Sequence, residues 1–399
     1  MKRSALLFAV LAVAAMLPAT SVKAQATGPS GPAPCVNGKA AGFPCKRVDL
    51  LSFLPMSEMG GGRASDVWGW VDPETKREYA LVGSTRGLLF VDVTNDAKPI
   101  YLGVMAGKAD PALIWQDVEV YQDHAYVVCD LSPCGMQVFD LTQLRGVKEA
   151  QTWPPTFVYP VSMSTHSLDI NTATGFAYLN GSYLNGGSHI ADLANPGAPV
   201  PAGQIQDDGY THDSHCRIYH GPDKRYKEKE ICFNANEDTI TTYDLTSKTS
   251  PVQLSRVTYK TAHYTHQAWL TEDHRYILVS DEGDETSLGT PGATYIFDVS
   301  NLEKPKQIGT YFAQTKAIDH NNYILGDVDY QASYTAGLRV LDLSNIATGR
   351  LKELGYFDVV PASDEAAFDG AWGVYPYLPS GNVLISGMGQ GLFVVDPKD

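Results

Sequence analysis

The sequence predicts an all-β chain closed into a seven-bladed β-propeller. Three observations predict it. One short motif recurs seven times at a step of about fifty residues, each copy is accompanied by further short strands, and turn residues punctuate the whole length. The 36 Gly and 24 Pro are spread through all 399 residues, which suits many turns and short strands in place of long helices. At 44% hydrophobic and 10% aromatic, the chain has ample material for a core.

The N-terminus comes first. Met1-Lys2-Arg3 precedes an apolar run from Ser4 to Pro18, and small residues then lead to Ala24 and Ala26. That order describes a secretory signal peptide over residues 1–26, cut after Ala24 or Ala26. The apolar run is short for a membrane span and polar residues follow it, although a retained N-terminal anchor is the alternative. The expected location is periplasmic or extracellular, with no membrane span after cleavage.

In an exported chain, six cysteines are read as three disulfides. Proximity pairs Cys35–Cys45, Cys129–Cys134 and Cys216–Cys232, with metal binding at C-x4-C as the competing reading. Residues 27–45, rich in Gly, Pro and Ala, read as a leader held by Cys35–Cys45, and residues 46–399 as the propeller. The formal charge of -15 becomes -18 once Lys2, Arg3 and Lys23 are removed. That sign argues against nucleic acid or an anionic membrane as partner.

The repeat itself runs G-L-L-F-V-D-V-T (87–94), G-M-Q-V-F-D-L-T (135–142), S-H-I-A-D-L-A-N (188–195) and T-I-T-T-Y-D-L-T (239–246). It continues with A-T-Y-I-F-D-V-S (293–300), G-L-R-V-L-D-L-S (337–344) and G-L-F-V-V-D-P (391–397). Asp92, Asp140, Asp192, Asp244, Asp298, Asp342 and Asp396 follow one another at 48, 52, 52, 54, 44 and 54 residues. Another apolar strand precedes each copy, as at Tyr79–Val82, Ala125–Val128 and Val383–Ser386, and most copies have one afterwards. About four strands in about fifty residues is one propeller blade. The aspartate at each strand end is expected to accept backbone N–H bonds in the following turn. The seventh copy has no outer strand behind it. Val48-Asp-Leu-Leu-Ser-Phe-Leu54 has the composition to supply it, closing the ring by strand exchange and removing exposed edges.

The start of each blade carries the candidate chemistry. One column reads Asp66, Asp117, His166, His215, His266, His320 and Gly370, at steps of 51, 49, 49, 51, 54 and 50. Innermost strands line the channel of a propeller, so this column is expected to form a ring at one height. Its imidazoles and carboxylates suit a divalent Zn, Mn, Fe, Ni or Cu ion. The expected metal ligands are His166, His215, His266 and His320. Asp66, Asp117, Asp319, Asn321 and Gln267 are the expected contacts to a ligand, with Asp319 and Asp213 also placed to orient a metal ligand. A metal-free ligand site remains open, as do histidines that only bond to neighbouring blades or water.

Other signals are weaker. His212 and His263 lie three residues before ring histidines and would face away on a regular strand, joining the site only from a loop. Asp281-Glu282-Gly283-Asp284-Glu285 could hold Ca2+ but lacks the spacing of an EF-hand, and a solvated acidic loop is the plainer reading. Trp68, Trp70, Trp269 and Trp372 form either a rim on which saccharides stack or packing between blades. There is no H-E-x-x-H, G-x-S-x-G, P-loop or dinucleotide fingerprint.

The repeat resembles the LVIVD repeat, and the chain resembles the choice-of-anchor B family of exported bacterial proteins. The stretches that carry this are F-P-C-K-R-V-D-L-L-S-F-L-P (43–55), S-D-V-W-G-W (65–70), K-R-E-Y-A-L-V-G (76–83) and H-A-Y-V-V (124–128). They continue with Y-T-H-D-S-H-C-R-I-Y-H-G-P-D (210–223), Y-T-H-Q-A-W-L-T-E-D (264–273), A-I-D-H-N (317–321) and G-A-W-G-V-Y-P-Y-L-P-S-G-N-V (370–383). The resemblance implies an exported propeller and no established reaction. The family is named for C-terminal anchoring signals, and here Asp399 directly follows the last copy, so a soluble periplasmic or released form is expected. The function expected is that of a binding or interaction module with a metal or small ligand at a histidine-lined channel mouth. Its partner would be a small molecule, a saccharide or a protein. The alternative is a metal-dependent lyase, hydrolase or oxidase acting on an anionic small molecule or saccharide.

Overall fold

The computed structural model describes residues 31–398 apart from 108, 162, 163, 183 and 184. The expected signal peptide and the first residues of the expected leader lie outside them. Seven sheets form a ring of blades, and in the first six the four antiparallel blade strands follow in sequence order from the channel outward. Blade one carries a fifth strand, Gln151–Trp153, added parallel to Ile100–Ala106. The innermost strands are Ala64–Val71, Gln116–Tyr121, Ser167–Asn171, Asp213–Ile218, Thr265–Leu270, Asn322–Leu325 and Ala371–Tyr375. Among the described residues no helix is long and apolar enough to cross a membrane.

The ring closes as expected. Val48–Pro55 pairs antiparallel with Gly391–Pro397 and becomes the fourth strand of blade seven. The leader then turns back: Phe43–Lys46 adds to Lys352–Phe357 of blade six, and Lys39–Ala40 adds outside it. Four phenylalanines bind these pieces together. Phe53 stacks on Phe393 at 4.3 Å between ring centroids, and Phe43 meets Phe393 at 5.2 Å and Phe357 at 5.6 Å.

The repeat motif has a physical reading at each end. Gly391 has φ +137°, and a Cβ there would stand 2.2 Å from the Leu54 carbonyl oxygen, so the closing strand needs glycine at this point. Gly87 repeats the situation in blade one, 2.1 Å from the Met105 oxygen. At the other end, Asp92, Asp140, Asp192, Asp244, Asp298 and Asp342 each accept the backbone N–H two residues on, at 2.7–3.1 Å. Asp396 instead meets Lys398.

The three disulfides pair as proximity suggested, Cys35–Cys45, Cys129–Cys134 and Cys216–Cys232. The core is divided among the clefts between blades. Between blades one and two, for example, Leu81, Phe90, Val118, Val127 and Phe139 are wholly buried together.

Ring closure thus rests on a hydrophobic contact in which Phe53 is 2% exposed. Phe53→Ala should lower unfolding free energy by about 3–5 kcal/mol through lost burial and the cavity left behind, read from the urea midpoint at unchanged m-value.

Candidate functional site

Each blade can be placed in register from its third-strand aspartate. The residue two before it pairs with the second strand, and that residue with the inner strand. Phe90 leads through Leu81 to Trp68, Thr242 through Phe233 to His215, and Ile296 through Leu278 to Trp269. The same count reaches Glu119, Asp169, Tyr323 and Tyr375 in the other blades. These seven residues form one layer of the channel. Two positions earlier lie Asp66, Asp117, Ser167, Asp213, Gln267, Asn321 and Gly373. One position earlier still lies the layer at the mouth, with Ser65, Gln116, His166, His212, His266, His320 and Trp372.

The mouth layer therefore contains four neighbouring imidazoles, but not the expected four. His166, His266 and His320 share it. His215 does not: it lies deeper, 4.0 Å from the Trp269 ring, and His212 takes its place. Ring centroids run His166–His212 4.1 Å, His212–His266 4.2 Å and His266–His320 4.3 Å, an unbroken arc over four blades. His212 stands just ahead of the strand that begins at Asp213, so strict alternation does not bind it. A bulge between Thr265 and Gln267 frees His266 in the same way. The sequence did carry a signal, since Y-T-H recurs at 210–212 and 264–266.

The other expected contacts fall in different places. Asp66, Asp117 and Gln267 are in the middle layer, where each accepts a backbone N–H of the next blade, from Val118 at 3.4 Å, Leu168 at 2.6 Å and Asn322 at 2.6 Å. Asn321 shares that layer and donates to the Tyr323 hydroxyl at 3.4 Å. Asp319 leaves the channel altogether and joins Asp284 and Glu285. Gly370 precedes the inner strand of blade seven and is not in the ring. The tryptophans form no single rim: Trp70 is buried on Tyr79 at 4.9 Å, Trp372 sits at the histidine mouth, and Trp68 and Trp269 line the deeper layer.

The imidazoles are held in orientation. His212 Nδ1 lies 3.0 Å from the His266 carbonyl oxygen and His320 Nδ1 2.5 Å from that of Trp372, so in both rings Nδ1–H donates to the next blade and Nε2 keeps its lone pair. His166 Nδ1 is 2.9 Å from Asp130 Oδ2. A residue the sequence did not single out by itself completes the group. Glu282, in the loop between the second and third strands of blade five, puts Oε1 3.3 Å from His320 Nε2 and 3.7 Å from His266 Nε2. The Tyr334 hydroxyl donates to that oxygen at 2.7 Å.

Burial governs the charge states. Desolvation, then the neighbouring imidazoles, push His212 and His266 well below the usual histidine range. Desolvation takes His320 down to about 3 and Glu282 up to about 7, the latter opposed by the Tyr334 hydrogen bond. Asp130 is held below the usual carboxylate range despite its burial, by the hydrogen bond to His166. His212, His266 and His320 are thus neutral at pH 7, the state in which imidazole ligates a metal. Candidate ligand atoms of His212, His266 and Glu282 all lie within 4.8 Å of one another. The channel interior below them is nearly filled, with a cavity of about 50 Å³. The roomier hollow, about 500 Å³, opens at the opposite end and is lined by Trp68, Trp269, Tyr375, Tyr377, His215 and Arg217.

No family model matches the chain, and no curated protein does so either. Solved structures similar to it include a β-propeller domain. A functionally unknown protein from Desulfotomaculum acetoxidans DSM 771 matches with TM-score 0.53 at 12% identity, over 76% of this chain and 87% of that one. A protein from Lactobacillus plantarum matches with TM-score 0.54 at 13% identity, over 81% and 88%. The Cps50 (Swd1) β-propeller domain of Myceliophteria thermophila matches with TM-score 0.53 at 10% identity, over 85% and 98%. Identities this low establish the fold alone.

His320 gives the site a pH signature. Its folded pKa, about 3, is below the roughly 6.5 of an exposed imidazole, so the unfolded chain takes up the proton first. The stability it contributes is complete above about pH 6.5 and is lost as the pH falls toward 3. In EDTA-treated protein, His320→Gln should flatten the decline of the urea midpoint between about pH 6.5 and 4.5 relative to the parent.

Proposed function

We propose that the chain is an exported propeller acting as a binding module, with a divalent transition metal held at the channel mouth by His212, His266 and Glu282. The observation that carries this is the convergence of those three side chains on one point, with the His212 tautomer fixed by a backbone carbonyl of the next blade. Donors around a tetrahedral zinc at about 2.0–2.1 Å stand roughly 3.3 Å apart. The His266–Glu282 separation of 3.7 Å is close to that value. Nitrogen with carboxylate oxygen suits Zn, Mn, Fe, Ni or Cu(II) equally in kind. His320 and His166 flank the three ligands and offer further donors.

Export is supported by the signal-like N-terminus, the three disulfides and the resemblance to LVIVD-repeat, choice-of-anchor B proteins. A binding role fits the small room at the site. A cavity of about 50 Å³ takes water but not a saccharide, so a partner would reach the metal by docking on the mouth.

Metal analysis tests this directly. After EDTA treatment and reloading with Zn2+ or Co2+, the parent should retain one equivalent, His215→Ala should retain it too, and a His212→Ala, His266→Ala double variant should fall below about a tenth of an equivalent. A correctly folded parent that retains less than about a tenth of an equivalent would refute the site.

A further inference from the structure

The acidic stretch after the second strand of blade five does not behave as one solvated loop. Asp284 and Glu285 open the short helix Asp284–Leu288, and Asp319 lies on the approach to the inner strand of blade six. All three are buried, at 1%, 2% and 2% exposure. We propose that Asp284, Glu285 and Asp319 form a second cation site, built from oxygen alone and suited to Ca2+, between blades five and six.

The argument rests on which oxygens are already held. The Tyr295 hydroxyl donates to Asp284 Oδ2 at 2.5 Å, the Asp319 backbone N–H to Glu285 Oε1 at 3.1 Å, and the Thr294 hydroxyl to Asp319 Oδ2 at 3.2 Å. The other oxygen of each carboxylate, Asp284 Oδ1, Glu285 Oε2 and Asp319 Oδ1, is buried and has no hydrogen-bond donor. Ligand-capable oxygens of the three lie within 4.8 Å of one another. Three buried carboxylates gathered this closely, each with an unsatisfied oxygen, cost several kcal/mol each unless protons or a cation stand between them.

The surroundings supply little compensation. Asp281 adds charge of the same sign and His263 acts only weakly against it. Burial, and then the charge of Asp284, lifts Glu285 to about 8, while burial lifts Asp284 to about 6 against the Tyr295 hydrogen bond. A cation would displace the protons held there. Hard oxygen donors without nitrogen or sulfur select Ca2+ over the transition metals that imidazole prefers. Gly292 keeps the space open, since a Cβ there would stand 2.9 Å from the Ala317 carbonyl oxygen and 3.2 Å from Glu285 Oε1.

Tb3+, a luminescent stand-in for Ca2+, tests the site on the full EDTA-treated chain. Tyrosine-sensitised emission through Tyr295 should saturate at one equivalent, be displaced by Ca2+ and be indifferent to Zn2+. Glu285→Gln and Asp319→Asn should each weaken binding about tenfold or more. Gly292→Ala, which fills the space without removing a ligand, covers the case in which a carboxylate variant fails to fold. A His212→Ala, His266→Ala variant should bind Tb3+ as the parent does, so this result stands or falls independently of the histidine site. No Tb3+ emission in the parent, together with no rise of its melting temperature in Ca2+ over EDTA, would overturn the proposal. So would binding unchanged in all three cluster variants, or binding lost with the two histidines.

Discussion

A propeller's innermost strand has one edge with no strand beside it, and satisfying that edge shapes everything in this channel. Neighbouring inner strands run past each other without a ladder, so their N–H groups need partners from side chains. Here each blade reaches into the next. Glu119 accepts from Ile170 at 2.8 Å and Asp169 from Cys216 at 2.8 Å, just as Asp66, Asp117 and Gln267 do one layer nearer the mouth. An orphaned buried donor would cost about 1–3 kcal/mol, so the latches are part of the fold. They also give the buried acids of the channel a structural reason to be there. Desolvation raises Asp66, Asp117, Glu119 and Asp169, and Arg217, 2.9 Å from Asp169, offsets part of that burden.

The histidines extend the same device with donors in place of acceptors. His212 and His320 give Nδ1–H to a carbonyl of the following blade, which is a structural duty. That duty settles the tautomer and turns Nε2 inward. The structural duty and the orientation a metal ligand would need are therefore met by one arrangement. A latch that fixes a ring also prepares a ligand.

Much of the architecture was legible because repetition magnifies weak signals. The seven aspartates gave the step, and the missing outer strand of blade seven pointed to the stretch from Val48 to Leu54. The site was legible only to within a layer. The dipeptide Ser214-His215 imitates Thr165-His166 and Thr265-His266, and aligning on it placed His215 in the ring. Counting back from the aspartates would have chosen otherwise, because His212 and His266 each stand 32 residues before Asp244 and Asp298. Inner strands start irregularly, with bulges, so alternation is a poor guide there. Glu282 reads in the sequence as part of a solvated acidic run, and only the folded loop brings it over the channel.

The loop that carries Glu282 divides one acidic run between two surroundings. Asp281 is its pivot. Its carboxylate accepts from the backbone N–H of His263 and Tyr264 at 2.8 Å and of Gly283 at 3.0 Å, and from the Tyr259 hydroxyl at 2.7 Å. Gly283 must then pass close to the preceding segment, where a Cβ would lie 2.9 Å from that of His263. With the chain fixed at 281 and able to turn at 283, Glu282 is sent toward imidazole nitrogens while Asp284 and Glu285 are sent into the crevice toward Asp319. The sequence shows four carboxylates in five residues, which reads as solvated charge. The fold separates them into a mixed nitrogen–oxygen set and an all-oxygen set, and donor sets of those two kinds differ in the cations they suit.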